Sequence, residues 1–223
     1  WECEGVLALR HGDRNEVYGN IFVGNGKRNT GGVRVVNAGH RIHDNRFYSL
    51  AGGRFFSALA LMNAVPNSLP NRYCLVEDID IRDNLFIDCT NIEFGTGKDQ
   101  ERTLAPERVL FENNTIVNRK LAEPYIVIDD VKGVTFRNNE VELAGNYKAE
   151  GFRSVKAEVP AVPSYREMAE GTGAGRHPVS NDFMECYFGP IEVAAGEDLP
   201  TAVERAKEHD VIWLTTSGGD YVI

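Results

Sequence analysis

The sequence predicts an all-β protein built as a parallel β-helix, and three observations support this class. One six-residue pattern recurs: an apolar residue, any residue, a Gly, Asp or Asn, then an Asn, any residue and a second apolar residue. Short apolar segments lie between the copies, and signals for two-residue hairpin turns are nearly absent. The five copies are VYGNIF (17–22), IHDNRF (42–47), IRDNLF (81–86), FENNTI (111–116) and FRNNEV (136–141).

The shared asparagines are Asn20, Asn45, Asn84, Asn114 and Asn139, at separations of 25, 39, 30 and 25 residues. This spacing predicts a coil of roughly 25 residues with insertions in the second and third intervals. Because Asn tolerates the left-handed conformation, we expect it to take that conformation at a bend in each coil. Stacked coils would align the side-chain amides in a hydrogen-bonded ladder.

The apolar segments between the copies are the predicted strands of one stacked sheet. A solenoid of this kind buries a continuous core only by stacking its coils. A β-sandwich remains the structural alternative. The segments are VLAL (6–9), GVRVV (32–36), ALALM (58–62) and YIVI (125–128).

The repeat ends near residue 143, and we expect three regions: residues 1–143 as β-helix coils, 144–190 as a linker or crossover, and 191–223 as the beginning of a second β-helix. The linker is rich in Gly, Pro and Ser. In the last region a strand precedes a predicted cap helix, with Asp198 as its N-cap and Pro200 in its first turn, and a second strand follows. We therefore expect this chain to be an internal fragment of a longer protein.

Composition and charge limit the classes of function that this chain can have. The 223 residues are 42% hydrophobic and 26% charged, a globular balance, and no apolar run approaches the roughly 20 residues that cross a bilayer. The net charge of −9 argues against a nucleic-acid partner. Residues 1–60 nevertheless hold eight Lys or Arg against five acids, so an acidic ligand is expected there. The four cysteines lack zinc-site spacing, and we expect buried free thiols rather than disulfides.

The stretch from Leu7 to Phe47 resembles polysaccharide lyase family six, the family of alginate lyases and chondroitinase B. The matching elements are L-R-H-G (9–12), G-N-G-K (24–27), T-G-G-V-R (30–34) and the asparagine turns. The similarity continues through RYCLVEDIDIRDNLF, NIEFGTG and FENNTIV, so it covers residues 1–143. The resemblance implies a right-handed parallel β-helix, which some members carry twice in tandem, and makes residues 1–143 the C-terminal coils of a catalytic domain.

The activity that the resemblance implies is calcium-assisted β-elimination at a 4-linked uronate, with alginate the first choice of substrate. Arg10 falls on the family's catalytic arginine, and His11 and Arg34 fall on substrate-binding positions. The 24 residues between Arg10 and Arg34 predict side-by-side neighbours on successive coils. The base lysine and the calcium ligands of the family lie upstream of L-R-H-G, and neither Lys27 nor Lys98 matches the base. The partner would be an anionic uronate polysaccharide, and the missing N-terminal segment is a second candidate partner. No nucleic-acid or membrane partner is expected. The location would be periplasmic or secreted.

Other functions stay open beside this one. A non-catalytic carbohydrate-binding β-helix would use the same basic residues without elimination, and a uronan C5-epimerase would share proton abstraction at C5. A glycoside hydrolase using the acidic pairs at residues 77–78 and 129–130 lacks its other signatures. His40 and His43 flank a turn and are expected to be structural.

Overall fold

A computed structural model describes residues 7–24, 26, 28–70, 72–127, 133–162, 191–193 and 212–214. The chain divides into two compact units, Trp1–Ala174 and Gly175–Ile223. Among the described residues of the first unit, fifteen strands form five successive coils of three strands each, and a sixteenth strand follows them. All neighbouring strands within the sheets pair in parallel, which confirms the parallel β-helix.

Each coil contributes one strand to each of three sheets. Sheet 1 contains β1 (Leu7–Leu9), β4 (Val33–Val35), β7 (Leu59–Met62), β10 (Ile92–Thr96) and β13 (Ile126–Val127). Sheet 2 contains β2 (Glu16–Tyr18), β5 (Arg41–His43), β8 (Glu77–Arg82), β11 (Glu107–Glu112) and β14 (Val134–Arg137). Sheet 3 contains β3 (Ile21–Val23), β6 (Arg46–Tyr48), β9 (Leu85–Ile87), β12 (Thr115–Asn118), β15 (Asn139–Leu143) and β16 (Phe152–Ser154). A 3-10 helix, Arg54–Phe56, precedes β7.

The apolar positions of the repeated pattern form two rows through the core. The parallel register aligns Val17, Ile42, Ile81, Phe111 and Phe136 in sheet 2. In sheet 3 the second apolar position aligns in the same way, and the rings of Phe22, Phe47 and Phe86 stack at 4.8 and 4.5 Å between centroids. Since apolar residues recur at each of these two register positions, each coil buries its apolar side chains against the next.

The predicted asparagine ladder is present between sheets 2 and 3. The side-chain amide of Asn45 donates to Asn84 at 3.0 Å, and that of Asn84 donates to Asn114 at 3.0 Å. The ladder continues from Asn20 at one end to Asn139 at the other.

The left-handed bend lies one residue earlier than expected. Positive φ occurs at the Gly, Asp or Asn that precedes each ladder asparagine, for example 54° at Asp44 and 55° at Asp83. The ladder asparagines themselves are not in this region, so their conformational prediction is wrong. The physical reason is that the residue before each ladder asparagine turns the backbone. This turn directs the side-chain amide of the following asparagine into the ladder.

The end of the first unit and the second unit are described in part. Strand β16 pairs with β15, so sheet 3 extends beyond residue 143. In the second unit β17 (Ile191–Val193) pairs in parallel with β18 (Ile212–Leu214). The predicted cap helix at Asp198 and Pro200 lies outside the described residues, and the predicted domain boundaries stay predictions.

Two further expectations concern thiols and membranes. Cys74 and Cys89 are free, and Cys89 is buried, whereas Cys3 and Cys186 lie outside the described residues. Within the described ranges, no helix is long and apolar enough to cross a membrane.

Candidate functional site

The outer face of sheet 1 carries the two arginines that the sequence singles out. Side chains alternate along its strands: Val33 and Val35 are buried in the core, while Arg34 between them points outward and is half-buried. The register aligns Arg34 with Ala8 on one side and Ala60 on the other. The alanines leave room beside the long arginine side chain.

Arg10 lies on the adjacent coil, displaced along the strand from Arg34. The register pairs Arg34 with Ala8, so Arg10 lies two residues beyond the position directly beside Arg34. The expectation of side-by-side neighbours is therefore wrong. Paired residues on β1 and β4 are 26 apart in sequence, as Ala8 and Arg34 are, whereas Arg10 and Arg34 are 24 apart. A two-residue displacement keeps both on the same side of a strand. Asn37 fixes the Arg10 backbone by donating its side-chain amide to the Arg10 carbonyl at 2.9 Å.

The two insertions in the repeat meet beside this face. One follows β7 and the other follows β10, which are neighbouring strands of sheet 1. Ala64 and Leu104 form an antiparallel bridge, with backbone hydrogen bonds of 2.8 and 3.0 Å. Within the first insertion, the Val65 N–H donates to the Tyr73 carbonyl at 2.9 Å. The insertions thus form one paired structure that carries Tyr73 and Arg102.

Two aromatic rings connect three guanidinium groups across this surface. The guanidinium carbon of Arg10 lies 5.1 Å from the Tyr73 ring centroid, and that of Arg102 lies 4.9 Å from the same ring. Arg102 also lies 5.6 Å from the Phe55 ring, and Arg34 lies 5.9 Å from it. These are cation–π distances, and such contacts hold a guanidinium without occupying its N–H groups. We call Arg10, Arg34, Arg102, Tyr73 and Phe55 the arginine face.

The hydrogen-bond pattern separates these arginines from three others, Arg108, Arg119 and Arg137. The Nε atoms of Arg10, Arg34 and Arg102 are buried and have no hydrogen-bond partner within the described structure. By contrast, the Nε groups of Arg108 and Arg119 donate to Asp78 and Glu142, each at 2.7 Å, and that of Arg137 donates to Glu112. A buried donor without an acceptor costs free energy unless a ligand or water supplies one. The arginine face is therefore suited to bind anionic groups.

The loop that carries Phe55 is fixed by a buried carboxylate. Glu93 is 3% exposed, and its Oε1 accepts a hydrogen bond from the Arg54 N–H at 2.7 Å. Its Oε2 accepts a hydrogen bond from the Thr96 hydroxyl at 2.9 Å. Gly97, with φ of +80°, follows at the start of the second insertion, where a Cβ would lie 2.8 Å from Met62 Cε. The close packing of these segments holds the Phe55 ring beside Arg34 and Arg102.

The histidines fall into two groups. His11, which follows Arg10 in sequence, is exposed, and its predicted substrate-binding role stays a prediction. His40 is fully buried: its Nδ1 accepts from the Asn15 N–H at 3.1 Å, so its Nε2–H donates to the Val36 carbonyl at 2.8 Å. His43 contacts the carboxylates of Asp44 and Glu16 at 2.7 and 3.0 Å. His40 and His43 therefore serve the fold, as expected.

The residues that the structure describes do not fit a calcium site. Among them no group of three or more His, Cys, Asp or Glu side chains could hold a metal ion. Glu93 already accepts hydrogen bonds through both oxygens. Asp99 is ion-paired with Arg102 and caps its own loop.

The sequence did not identify Tyr73, Arg102, Phe55 or Glu93 as site residues. The available signal was positional: insertions in a solenoid repeat map to loops on one face, which is often the binding face. Tyr73 and Arg102 lie in the two insertions that the asparagine spacing reveals. Phe55 and Glu93 carry no comparable signal, because their role depends on the packing of one coil against the next.

Comparisons with known proteins agree with this architecture. The sequence model of a family described as chondroitinase B matches residues 1–165. The structure is similar to that of the PL6 family alginate lyase AlyGC, at 31% identity and a TM-score of 0.66 over 92% of this chain and 31% of that chain. The structure of an arginine-to-alanine mutant of AlyGC is similar at 30% identity and a TM-score of 0.67. This match covers 93% of this chain and 32% of the mutant chain.

A more distant similarity supports the fold alone. It is to a mannuronic acid specific polysaccharide family 6 lyase from human gut microbiota, at 23% identity and a TM-score of 0.55, covering 70% of this chain and 37% of that chain. The chain spans about a third of the length of AlyGC, 32% in the mutant comparison. No curated protein sequence matches it.

Proposed function

Because the chain belongs to the chondroitinase B family, which is polysaccharide lyase family 6, we propose that it supplies the arginine-bearing part of a polysaccharide lyase site. The substrate would be a 4-linked uronate polymer, with alginate foremost, and the reaction a β-elimination. The observation that carries this proposal is the set of three arginines whose buried Nε groups have no acceptor within the described structure.

A uronate polymer matches the chemistry of the arginine face. Each sugar presents one carboxylate, and a guanidinium can bind a carboxylate through two parallel hydrogen bonds. Arg10 and Arg34 lie on successive coils and on the same side of sheet 1, so an extended anionic chain could contact both. The rings of Tyr73 and Phe55 add apolar area against which the carbon faces of sugars could pack.

The elimination requires stabilisation of negative charge. The proton at C5 is very weakly acidic until the charge of the neighbouring carboxylate is neutralised, so cationic groups on that carboxylate promote its removal by a base. Arginine stays protonated at any working pH. We assign to Arg10 the stabilisation of charge that develops in the transition state, and to Arg34 and His11 the binding of substrate.

Calcium enters only as an expectation from the family. The described residues do not fit a calcium site, and we derive no step through the ion. We propose that a calcium requirement, where it exists, depends on ligands other than the described side chains.

The test of the lyase proposal is the formation of unsaturated uronate from alginate, followed by ultraviolet absorbance in the presence of calcium. We expect product when the base that the elimination needs is supplied together with this chain, and there a loss of about 100-fold or more in the Arg10→Ala variant. Arg119→Ala is the matched control, because Arg119 is an exposed arginine paired with Glu142 on sheet 3. Binding of alginate without product would identify a carbohydrate-binding module instead. A changed ratio of mannuronate to guluronate without chain cleavage would identify an epimerase.

A further inference from the structure

We propose that Arg102 is a third substrate-binding arginine, which extends the arginine face so that it binds a longer stretch of an anionic polysaccharide. This inference rests on the proposed function and deepens it. Arg102 belongs neither to the repeated pattern nor to residues 1–60, which carry the excess of basic residues. It reaches the site because the insertion after β10 pairs with the insertion after β7.

The first argument is the position of Arg102 relative to the other two arginines. Its guanidinium carbon lies 4.9 Å from the Tyr73 ring, which Arg10 also contacts, and 5.6 Å from the Phe55 ring, which Arg34 also contacts. Arg102 thus shares one aromatic ring with Arg10 and the other with Arg34. Three cationic groups are held together on one surface although their charges repel each other. An anionic polymer that contacts all three would remove this repulsion.

The second argument is the hydrogen-bond state of Arg102. Its Nε is buried without a partner, as in Arg10 and Arg34. Its Nη2 is paired with Asp99, an exposed residue. Asp99 also accepts from the backbone N–H groups of Glu101 and Arg102 at 2.9 and 2.7 Å, and these bonds lower the pKa of its carboxyl group. Asp99 therefore orients the guanidinium from one edge and leaves the Nε edge without a protein acceptor.

The third argument is that the Arg102 backbone is fixed by the fold. Its carbonyl accepts a hydrogen bond from the side-chain amide of buried Asn63 at 3.3 Å, next to the Ala64–Leu104 bridge. A guanidinium on a fixed backbone, held by two rings and one carboxylate, loses little conformational entropy on binding a ligand. Arg102 is thus prepared for a carboxylate beyond those bound by Arg10 and Arg34.

The experiment measures binding of mannuronate oligosaccharides of two lengths, a disaccharide and a hexasaccharide, to the full chain by titration calorimetry. We expect Arg102→Ala to weaken hexasaccharide binding by at least about tenfold, as loss of a charged hydrogen bond predicts, and to leave disaccharide binding unchanged. Arg102→Lys should recover part of the affinity, because it restores charge without the planar fork. Asp99→Asn should strengthen hexasaccharide binding, since it keeps the acceptor oxygen for the loop and removes the competing charge. Arg119→Ala should change neither affinity.

The outcomes separate this inference from the proposed function. Equal weakening for both lengths, together with a lower melting temperature in Arg102→Ala and no rescue by Arg102→Lys, would mean that Arg102 only packs the insertions. Unchanged hexasaccharide affinity in Arg102→Ala, with a loss in Arg10→Ala, would overturn the inference and leave the proposed function standing. If neither oligosaccharide binds the unmodified chain, the proposed function itself fails, and this inference fails with it.

Discussion

The carboxylate of Glu93 accepts a hydrogen bond from the backbone N–H of Arg54 at 2.7 Å and thereby ties the 3-10 helix to the outer face of β10. This bond connects two coils, since the residues are 39 apart in sequence. Phe55 follows Arg54 directly, so the position of its ring beside Arg34 and Arg102 depends on a buried acid in the next coil.

Replacing Glu93 with Ala is expected to lower the free energy of unfolding by on the order of 2 kcal/mol, because one buried and one partly buried donor lose their acceptor. The donors are the Arg54 N–H and the Thr96 hydroxyl. Urea unfolding measures the change, with Glu101→Ala, an exposed acid on the neighbouring insertion, as the control. Equal stability of the two variants would show that Glu93 does not anchor the loop.

The asparagine ladder gives a second prediction for stability. Asn84→Ala should destabilise the chain by several kcal/mol, because Asn84 donates to Ile42 and Asn114 and accepts from Asn45. Asn20→Ala should cost less, since Asn20 lies at the end of the ladder and is only partly buried. Chemical unfolding of both variants measures the difference. A larger loss for Asn20→Ala would contradict the account of the ladder.

The two structural histidines make opposite contributions to stability as pH changes. Burial lowers the pKa of His40, so its contribution is present above the unfolded value of 6.5 and is lost as pH falls. Burial also lowers the pKa of His43, but hydrogen bonds to Asp44 and Glu16 outweigh this and raise it. Its contribution is therefore present below 6.5 and is lost as pH rises through its folded pKa.

Acidification should therefore affect a His43→Gln variant more than the unmodified chain. The variant keeps the loss caused by His40 and lacks the opposing gain from His43. Unfolding free energies measured between about pH 7 and 5 test this, and NMR titration of each ring checks the direction of its pKa shift. A midpoint for His40 above that of His43 would contradict at least one of the two assignments.

Cys89 should be unreactive in the folded chain. Burial raises the pKa of its thiol to about 12, so almost no thiolate forms near neutral pH. Alkylation followed by peptide mapping should label Cys74, which is half-buried, and should label Cys89 only after denaturation. Labelling of Cys89 at the same rate as Cys74 would show that this part of the core opens readily.

The sequence predicts most of the solenoid because its core is local and repeated. The five copies of one pattern determine the ladder from Asn20 to Asn139 and the aligned rows that contain Phe47 and Phe86. The left-handed bend lies one residue before the predicted position, because the residue before each ladder asparagine is itself a Gly, Asp or Asn, and each of these tolerates that conformation.

The site is less predictable than the fold. The 24-residue spacing of Arg10 and Arg34 does not give their displacement, because the register depends on how many residues the turns take up. The charge distribution points to the first sixty residues, yet Arg102 joins the arginine face from the acidic remainder of the chain. Its contribution depends on the pairing of two insertions, which no local pattern encodes.

The central claim is that the outer face of sheet 1, with its three unpartnered Nε groups, binds the anionic substrate. The most direct test is NMR observation of arginine Nε–H resonances during addition of a mannuronate hexasaccharide. We expect the resonances of Arg10, Arg34 and Arg102 to shift, because a bound carboxylate changes the charge around each guanidinium, and those of Arg108, Arg119 and Arg137 to stay in place, because each is already paired. Shifts confined to the paired arginines, or no shift in the resonances of Arg10 and Arg34 at saturating ligand, would contradict the account.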